Sequence, residues 1–274
     1  DGFADILIGD QDNMYNSNSG EAYLVLGTND GSLTGTINFG GVSASGSYGI
    51  EIHPAASETG LEKLGNAVGP VGDVNGDGID DLMVAAYRYD ATGDFANRNT
   101  NEGGAFIWYG NANLGTADLT IGHGGNNTAD VTFIGESAGD QIGQSAAGAG
   151  DFNCDGNMDI ILGSQYADYG GNDAGVAYVV SAGSAGTVTL SSSGSSILAK
   201  LTGENASDNA GRSVASVGNI DNDVNGCGDV VIGAKKGGTG NSGRAYLVLG
   251  SATPINISLS AADAVIDGAA ASDE

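Results

Sequence analysis

Three acidic segments of one pattern, set at regular intervals, constrain this chain more than any other feature. They are residues 72–86 (GDVNGDGIDDLMVAA), 150–164 (GDFNCDGNMDIILGS) and 218–234 (GNIDNDVNGCGDVVIGA). A fourth copy is cut by the N-terminus, where residues 1–9 (DGFADILIG) match the second half of the pattern. An internal repeat of this length decides the architecture before local propensities do. The rest of each period repeats as well. An apolar strand follows each loop: DILIG, DLMVAA, DIILGS and DVVIGA. After a polar connection comes a second strand: EAYLVLG (21–27), GAFIWYG (104–110), GVAYVV (175–180) and RAYLVLG (244–250). A third follows at VTFIGE (131–136), ILAKLTGE (197–204) and AVIDGA (264–269), with YGIEIHP (48–54) as its counterpart in the first copy. A strand just before each loop completes four. Four short strands per repeat, joined by Gly-rich turns, predict an all-β chain built as a β-propeller. The expected units are 1–60, 61–136, 137–204 and 205–274, about four blades in one propeller-type domain. The chain starts at Asp1 in mid-loop and stops in mid-pattern. It therefore reads as a piece of a longer propeller, or as one subunit of a multi-chain one, with partners at both ends.

The loops themselves read D-x-[DN]-x-[DN]-G-x-x-D. Counted from Asp73, Asp151 and Asp221, positions 1, 3 and 5 are Asp73, Asn75, Asp77; Asp151, Asn153, Asp155; and Asp221, Asp223, Asn225. Position 7 offers a backbone carbonyl at Ile79, Asn157 or Cys227, and the last acid is Asp81, Asp159 or Asp229. In the truncated copy the corresponding residues are Asp1, Phe3 and Asp5. Oxygen donors at alternate positions converge as the backbone winds round a hard cation, and the Gly allows the sharp turn. All-oxygen donors suit Ca²⁺ better than Zn²⁺, which prefers nitrogen and sulfur. An EF-hand would place an acid at position 12 and continue as a helix. Here position 12 is Val84, Leu162 or Ile232, and β-type sequence follows. The expectation is about three complete Ca²⁺ sites. A fourth would be completed by another chain or by residues outside this sequence.

Composition narrows the alternatives. Gly accounts for 49 of 274 residues, and 34 acidic residues against 8 Lys plus Arg leave a formal charge of −26. So few cations exclude a nucleic-acid binder that works by phosphate neutralisation. So much Gly excludes a helical bundle. No apolar run is long enough for a membrane-spanning helix. The two cysteines, Cys154 and Cys227, cannot build a disulfide framework, and on loops of neighbouring blades they are expected to stay too far apart to pair.

The unit LGNAVGPVGDVNGDGIDDLMVAA…GGAFIWYG (64–110) resembles the FG-GAP repeat found in the propeller of integrin α-subunits and in many secreted bacterial proteins. The resemblance implies a seven-bladed propeller with Ca²⁺ loops between the first two strands of some blades. The family's Phe-Gly is replaced here by Leu64-Gly65, Ile142-Gly143 and Ala210-Gly211.

Weaker signals have plainer readings. Residues 135–139 match G-x-S-x-G, but the sequence after them is β-like and the two histidines, His53 and His123, are remote. Residues 238–243 match G-x-G-x-x-G, yet they precede a strand rather than a helix. Trp108 is expected to pack between sheets, and Lys235-Lys236 to lie in a solvated loop. Asn126, Asn205 and Asn256 begin N-x-[ST] sequons, which matter only in a glycosylating host. The sequence therefore predicts an extracellular or cell-surface, non-enzymatic Ca²⁺-binding module for adhesion or protein/glycan binding. Its variable connections at 90–103 and 168–175 would meet the ligand. The alternatives are a subunit of a filament, sheath or surface layer joined through blade ends, and a propeller domain of a larger secreted enzyme.

Overall fold

A computed structural model of the chain describes residues 3–12, 20–27, 49–55, 61–91, 100–111, 114, 117–121, 128–183, 185–191 and 196–271, apart from the side chains of 61 and 62. The first repeat gives β1 (Ile6–Asp10), β2 (Glu21–Val25) and β3 (Gly49–Pro54). The second gives β4 (Leu61–Gly72), β5 (Asp81–Tyr89), β6 (Gly104–Trp108), β7 (Leu119–Ile121) and β8 (Val131–Ile134). The third gives β9 (Ser145–Gly150), β10 (Asp159–Ser164), β11 (Val176–Ser181), β12 (Gly186–Thr189) and β13 (Ile197–Thr202). The fourth gives β14 (Ala210–Gly218), β15 (Asp229–Ala234), β16 (Arg244–Val248), β17 (Ile257–Ser258) and β18 (Ala264–Asp267), with one 3₁₀ turn at Leu259–Ala261. Among the described residues there is no α-helix, and none long and apolar enough to cross a membrane.

The strands form four sheets, as a β-propeller of FG-GAP-type repeats requires. Within each, consecutive long strands pair antiparallel: β1-β2-β3, β4-β5-β6-β8, β9-β10-β11-β13 and β14-β15-β16-β18. The sequence pattern predicts four strands per blade, and the structure adds another to the first three sheets. β7, β12 and β17 leave their own repeats and pair in parallel with β3, β8 and β13 of the preceding sheet. A unit of sequence and a unit of sheet therefore overlap, and each repeat clasps the one before it.

The apolar runs are continuous because the middle strands are covered on both faces. All six residues of β10 are buried, as are all five of β6. Alternate side chains serve different interfaces, following the period of two. Leu82 and Val84 face Leu24, Ile50 and Ile52 of the first sheet. Met83 and Ile107 face Ile160, Leu162 and Tyr178 of the third. Ile161, Val179 and Leu201 meet Val230, Ile232 and Tyr246 of the fourth. Full burial of such a side chain contributes roughly 1.5–3 kcal/mol, so the intersheet layers are the main source of stability. Trp108 lies in the first of these layers, and its indole N–H donates to Thr128 Oγ1 at 3.1 Å.

The dipeptides at the family's Phe-Gly position set the spacing between sheets. Leu64, Ile142 and Ala210 are fully buried. Each forms a parallel bridge to a glycine of the preceding repeat: Gly20, Gly103 and Gly175. The glycine that follows takes a left-handed φ, 82° at Gly65 and 78° at Gly211. A Cβ on Gly163 would lie 2.3 Å from the Gly211 carbonyl oxygen, so this approach admits no side chain.

Candidate metal-binding loops

Each metal-type loop links the innermost strand of a blade to the next strand outward: β4 to β5, β9 to β10 and β14 to β15. A left-handed glycine, Gly72, Gly150 or Gly218, turns the chain out of the inner strand. The last acid then begins the next strand and ties the loop shut. Asp81 Oδ2 accepts the Val74 N–H at 2.8 Å, Asp159 Oδ2 the Phe152 N–H at 2.9 Å, and Asp229 Oδ2 the Ile220 N–H at 2.7 Å. The second oxygen of Asp81 accepts the Gly110 N–H, and that of Asp229 the Gly250 N–H. In the first repeat Asp5 Oδ1 accepts the Gly27 N–H in the same way, at 2.7 Å. Asp5 thus stands where Asp81 does. Phe3 is 44% exposed, and Asp1 lies outside the described residues.

Hydrogen bonds fix the register of the first two loops as the sequence reads it. Asp73 Oδ1 accepts the Asp77 N–H, and Asn75 Oδ1 accepts it too. Asp151 and Asn153 do the same for the Asp155 N–H. The third loop differs from expectation. There the Asp223 N–H donates to Asn219 Oδ1 at 3.1 Å and to Asp221 Oδ1 at 3.0 Å. Asn219 therefore takes position 1, Asp221 position 3 and Asp223 position 5. Ile220 matches Val74 and Phe152, and Asn222 shares the left-handed φ of Gly76 and Cys154. Val224 and Asn225 are a two-residue insertion before Gly226, so Asn225 falls outside the alternation. The loop still carries three carboxylates and one amide, with the amide moved from position 3 to position 1. In the first two loops the position-1 carboxylate also accepts the N–H of the loop glycine, Gly78 or Gly156. In the third, Asn219 Nδ2 instead donates to Asp223 Oδ1 at 3.1 Å, and the Gly226 N–H turns to the same carboxylate.

Adjacent loops touch. The Met158 N–H donates to the Asp73 carbonyl at 3.2 Å, and the Gly228 N–H to the Asp151 carbonyl at 2.7 Å. The loops thus form a continuous row along one face. This contact overturns the expectation that Cys154 and Cys227 stay too far apart to pair. They form a disulfide, with Cα atoms 4.9 Å apart. Their separation of 73 residues in sequence hides a separation of one loop in space.

The electrostatics fit a divalent cation. Asp81 is pushed above the usual carboxylate range by burial and by repulsion from Asp77 and Asp73, against the N–H groups of Gly110 and Val74. Asp159 is pushed up to about 7 by burial, which prevails over the N–H groups of Phe152 and Asn153, with repulsion from Asp155 and Asp151 adding to the rise. Its Oδ1 is buried with no hydrogen-bond partner among the described residues. Burial also acts to raise Asp155, but bonds from Asn153 and the Asn157 N–H hold it below its ordinary value. A buried last carboxylate raised beside further acids, with an oxygen that lacks a partner in the second loop, makes a donor set that a cation would neutralise. The residues able to hold it are the side chains at positions 1, 3, 5 and 9 and the carbonyls of Ile79, Asn157 and Cys227.

Those of the remaining candidates that are described have partners within the fold. Glu136, within the G-x-S-x-G match, pairs with Lys200 Nζ at 2.7 Å and accepts from Tyr178 Oη at 3.2 Å. Glu204 and Tyr246 repeat that bond at 3.0 Å, with Arg244 as the cation. Ser137 Oγ lies 3.2 Å from Tyr169 Oη. His53 sits in β3, its Nδ1 2.8 Å from the Pro54 carbonyl oxygen, while His123 and Asn126 lie outside the described residues. Asn205 bonds to Asp208, and Asn256 Oδ1 accepts the Lys200 N–H.

A family model described as "FG-GAP repeat" matches residues 64–108, from the buried Leu64 through the first metal-type loop to β6. The chain is 31% identical over 172 residues to integrin alpha pat-2 of Caenorhabditis elegans. It is 32% identical over 174 residues to integrin alpha pat-2 of Caenorhabditis briggsae. Each match covers 61% of this chain but 13% of the relative's length. Residues 64–108 are thus an FG-GAP repeat, and the chain is an integrin-like FG-GAP repeat protein.

Proposed function

We propose that this chain is a calcium-binding propeller module of an extracellular or cell-surface protein, and that it binds a protein or glycan ligand rather than catalysing a reaction. The observation that carries the reading is the triple occurrence of one oxygen-rich loop, held in register by the same hydrogen bonds. The ligands would be Asp73, Asn75, Asp77 and Asp81; Asp151, Asn153, Asp155 and Asp159; and Asn219, Asp221, Asp223 and Asp229. Calcium would neutralise each carboxylate cluster and lock the loop that starts the second strand of the blade. The strands β5 and β10 run away from the metal-type loops, so the ion would brace one end of the sheets and a partner would meet the connections at the other. The disulfide supports an extracellular setting, because such bonds persist in oxidising compartments. Similarity to part of an integrin α-chain supports adhesion as the role. The test is binding to a panel of matrix proteins and polysaccharides, measured with calcium and then with a chelator. Calcium-dependent capture of a ligand is expected. A melting temperature unmoved by calcium would refute the metal reading, and absence of any capture by calcium-loaded protein would refute the ligand reading.

A further inference from the structure

The second and third metal-type loops are joined by more than their side-by-side placement. The disulfide runs from Cys154, at position 4 of the second loop, to Cys227, whose carbonyl stands at position 7 of the third. The equivalent residues of the first and second loops are Gly76 and Asn157, which only touch: a Cβ on Gly76 would lie 2.9 Å from Asn157 Oδ1. The position-1 carbonyls repeat the difference. That of Asp151 accepts the Gly228 N–H at 2.7 Å, and that of Asp73 the Met158 N–H at 3.2 Å. Gly228 and Met158 each directly precede the last acid of their loop.

A relay of hydrogen bonds also links the last acids of this pair. Asp159 Oδ2 accepts the Phe152 N–H at 2.9 Å, and the Phe152 carbonyl accepts the Ser251 N–H at 2.9 Å. The residue before Ser251, Gly250, donates its N–H to Asp229 Oδ1 at 2.9 Å. Asp159 and Asp229 thus hold the two ends of one backbone path. Between the first and second loops the same path does not close at Asp159. Its Oδ1, the counterpart of the Asp229 oxygen that holds Gly250, has no hydrogen-bond partner among the described residues. The second and third loops are therefore tied by a covalent bridge and a closed relay, and the first and second by the longer Met158 bond.

We propose that the second and third loops bind calcium with positive cooperativity, as one coupled pair, while the first loop fills on its own. This inference rests on the calcium reading of the loops. A loop of mutually repelling carboxylates loses conformational freedom when an ion orders it. Ordering the second loop fixes Asp151, Phe152 and Cys154, and through them Gly228, Ser251 and Cys227. The third loop then has less freedom left to lose, which is a favourable coupling. Charge works against it, because an ion in one loop adds two positive charges beside the next. That repulsion is present in either neighbouring pair and is screened over about 8 Å at physiological salt. The bridge and the closed relay are present in only one pair. Filling the second loop is therefore expected to tighten the third by about fivefold or more, and by linkage the third tightens the second by the same factor.

Nuclear magnetic resonance of the unmutated, metal-free protein tests this during titration with calcium, following each loop by its glycine amide: Gly78, Gly156 or Gly226. The Gly156 and Gly226 signals should move together over the same calcium concentrations with a Hill coefficient above unity, and the Gly78 signal along a separate curve of unit slope. Calorimetry of variants measures the factor. Asp73→Ala leaves the second and third loops, and adding Asp151→Ala or Asp221→Ala leaves one of them. The two binding constants of the paired chain, multiplied together, should exceed the product of the two single-loop constants by about fivefold or more. Separate Gly156 and Gly226 curves of unit slope, a Gly78 signal that moves with the other two, or a product that matches the single-loop values would overturn the coupling and leave the calcium reading standing. If none of the three glycine signals responds to calcium, the calcium reading fails and the coupling fails with it.

Discussion

Replacing Asp81 with Ala should destabilise the protein strongly even without metal. Both carboxylate oxygens accept backbone N–H groups, from Val74 at 2.8 Å and from Gly110 at 2.7 Å, and the residue is 2% exposed. Alanine would leave two buried donors without acceptors. Each costs about 1–3 kcal/mol, which together predicts a loss of about 2–6 kcal/mol. Asp73→Ala is the comparison that separates burial from hydrogen-bond count. Asp73 accepts from Gly76, Asp77 and Gly78, which is more bonds, but in an exposed loop where water can replace them. Its loss without calcium should be about 1 kcal/mol or less, near the net worth of an exposed hydrogen bond. Urea unfolding of the parent and both variants in chelator measures the two differences. With calcium in excess, both variants should fall further behind the parent, because an ion bound at a hundred times its dissociation constant adds about 2.7 kcal/mol per site. Equal losses for the two variants in chelator would refute the argument from burial.

Three further outcomes follow from particular contacts. Reducing the Cys154–Cys227 bridge, or replacing both cysteines with Ser, should cost about 2–4 kcal/mol in denaturant unfolding. It should also weaken calcium binding at the second and third loops more than at the first. Burial acts to raise Glu136, but hydrogen bonds from Lys200, Tyr169 and Tyr178 prevail and hold its carboxyl below the ordinary value. A depressed folded pKa contributes stability that is present above the unfolded value near pH 4.5 and lost as pH falls through the folded one. Glu136→Gln should therefore flatten the acid limb of a melting-temperature profile and leave neutral-to-alkaline slopes unchanged. Asn219→Asp should raise the calcium affinity of the third loop, by restoring a carboxylate at the position Asp73 and Asp151 hold, as read by titration with the first two loops disabled.

The repeat made much of the fold legible. The strands after each loop, β5, β10 and β15, are apolar runs bounded by Asp and small residues, and the tyrosine strands β2, β11 and β16 carry an equally plain pattern. The donated strands were harder to see. β7 has 3 residues and β17 has 2, too few for any periodicity, and the preceding sheet holds them in place rather than their own propensity. The third loop departs from the sequence pattern because a two-residue insertion, Val224-Asn225, shifts the count taken from Asp221. Gly218 followed by a single apolar residue at Ile220, as in Gly72 with Val74 and Gly150 with Phe152, was the signal that restores the register. The disulfide was hidden because sequence separation carries no information about two loops stacked side by side.

The proposed function requires that three loops of this chain each hold a calcium ion. Isothermal titration of the metal-free protein with calcium tests it most directly, repeated on chains carrying Asp73→Ala, Asp151→Ala or Asp221→Ala. About three sites are expected for the parent and one fewer for each variant. No heat of binding, or a stoichiometry that none of the three substitutions lowers, would contradict it.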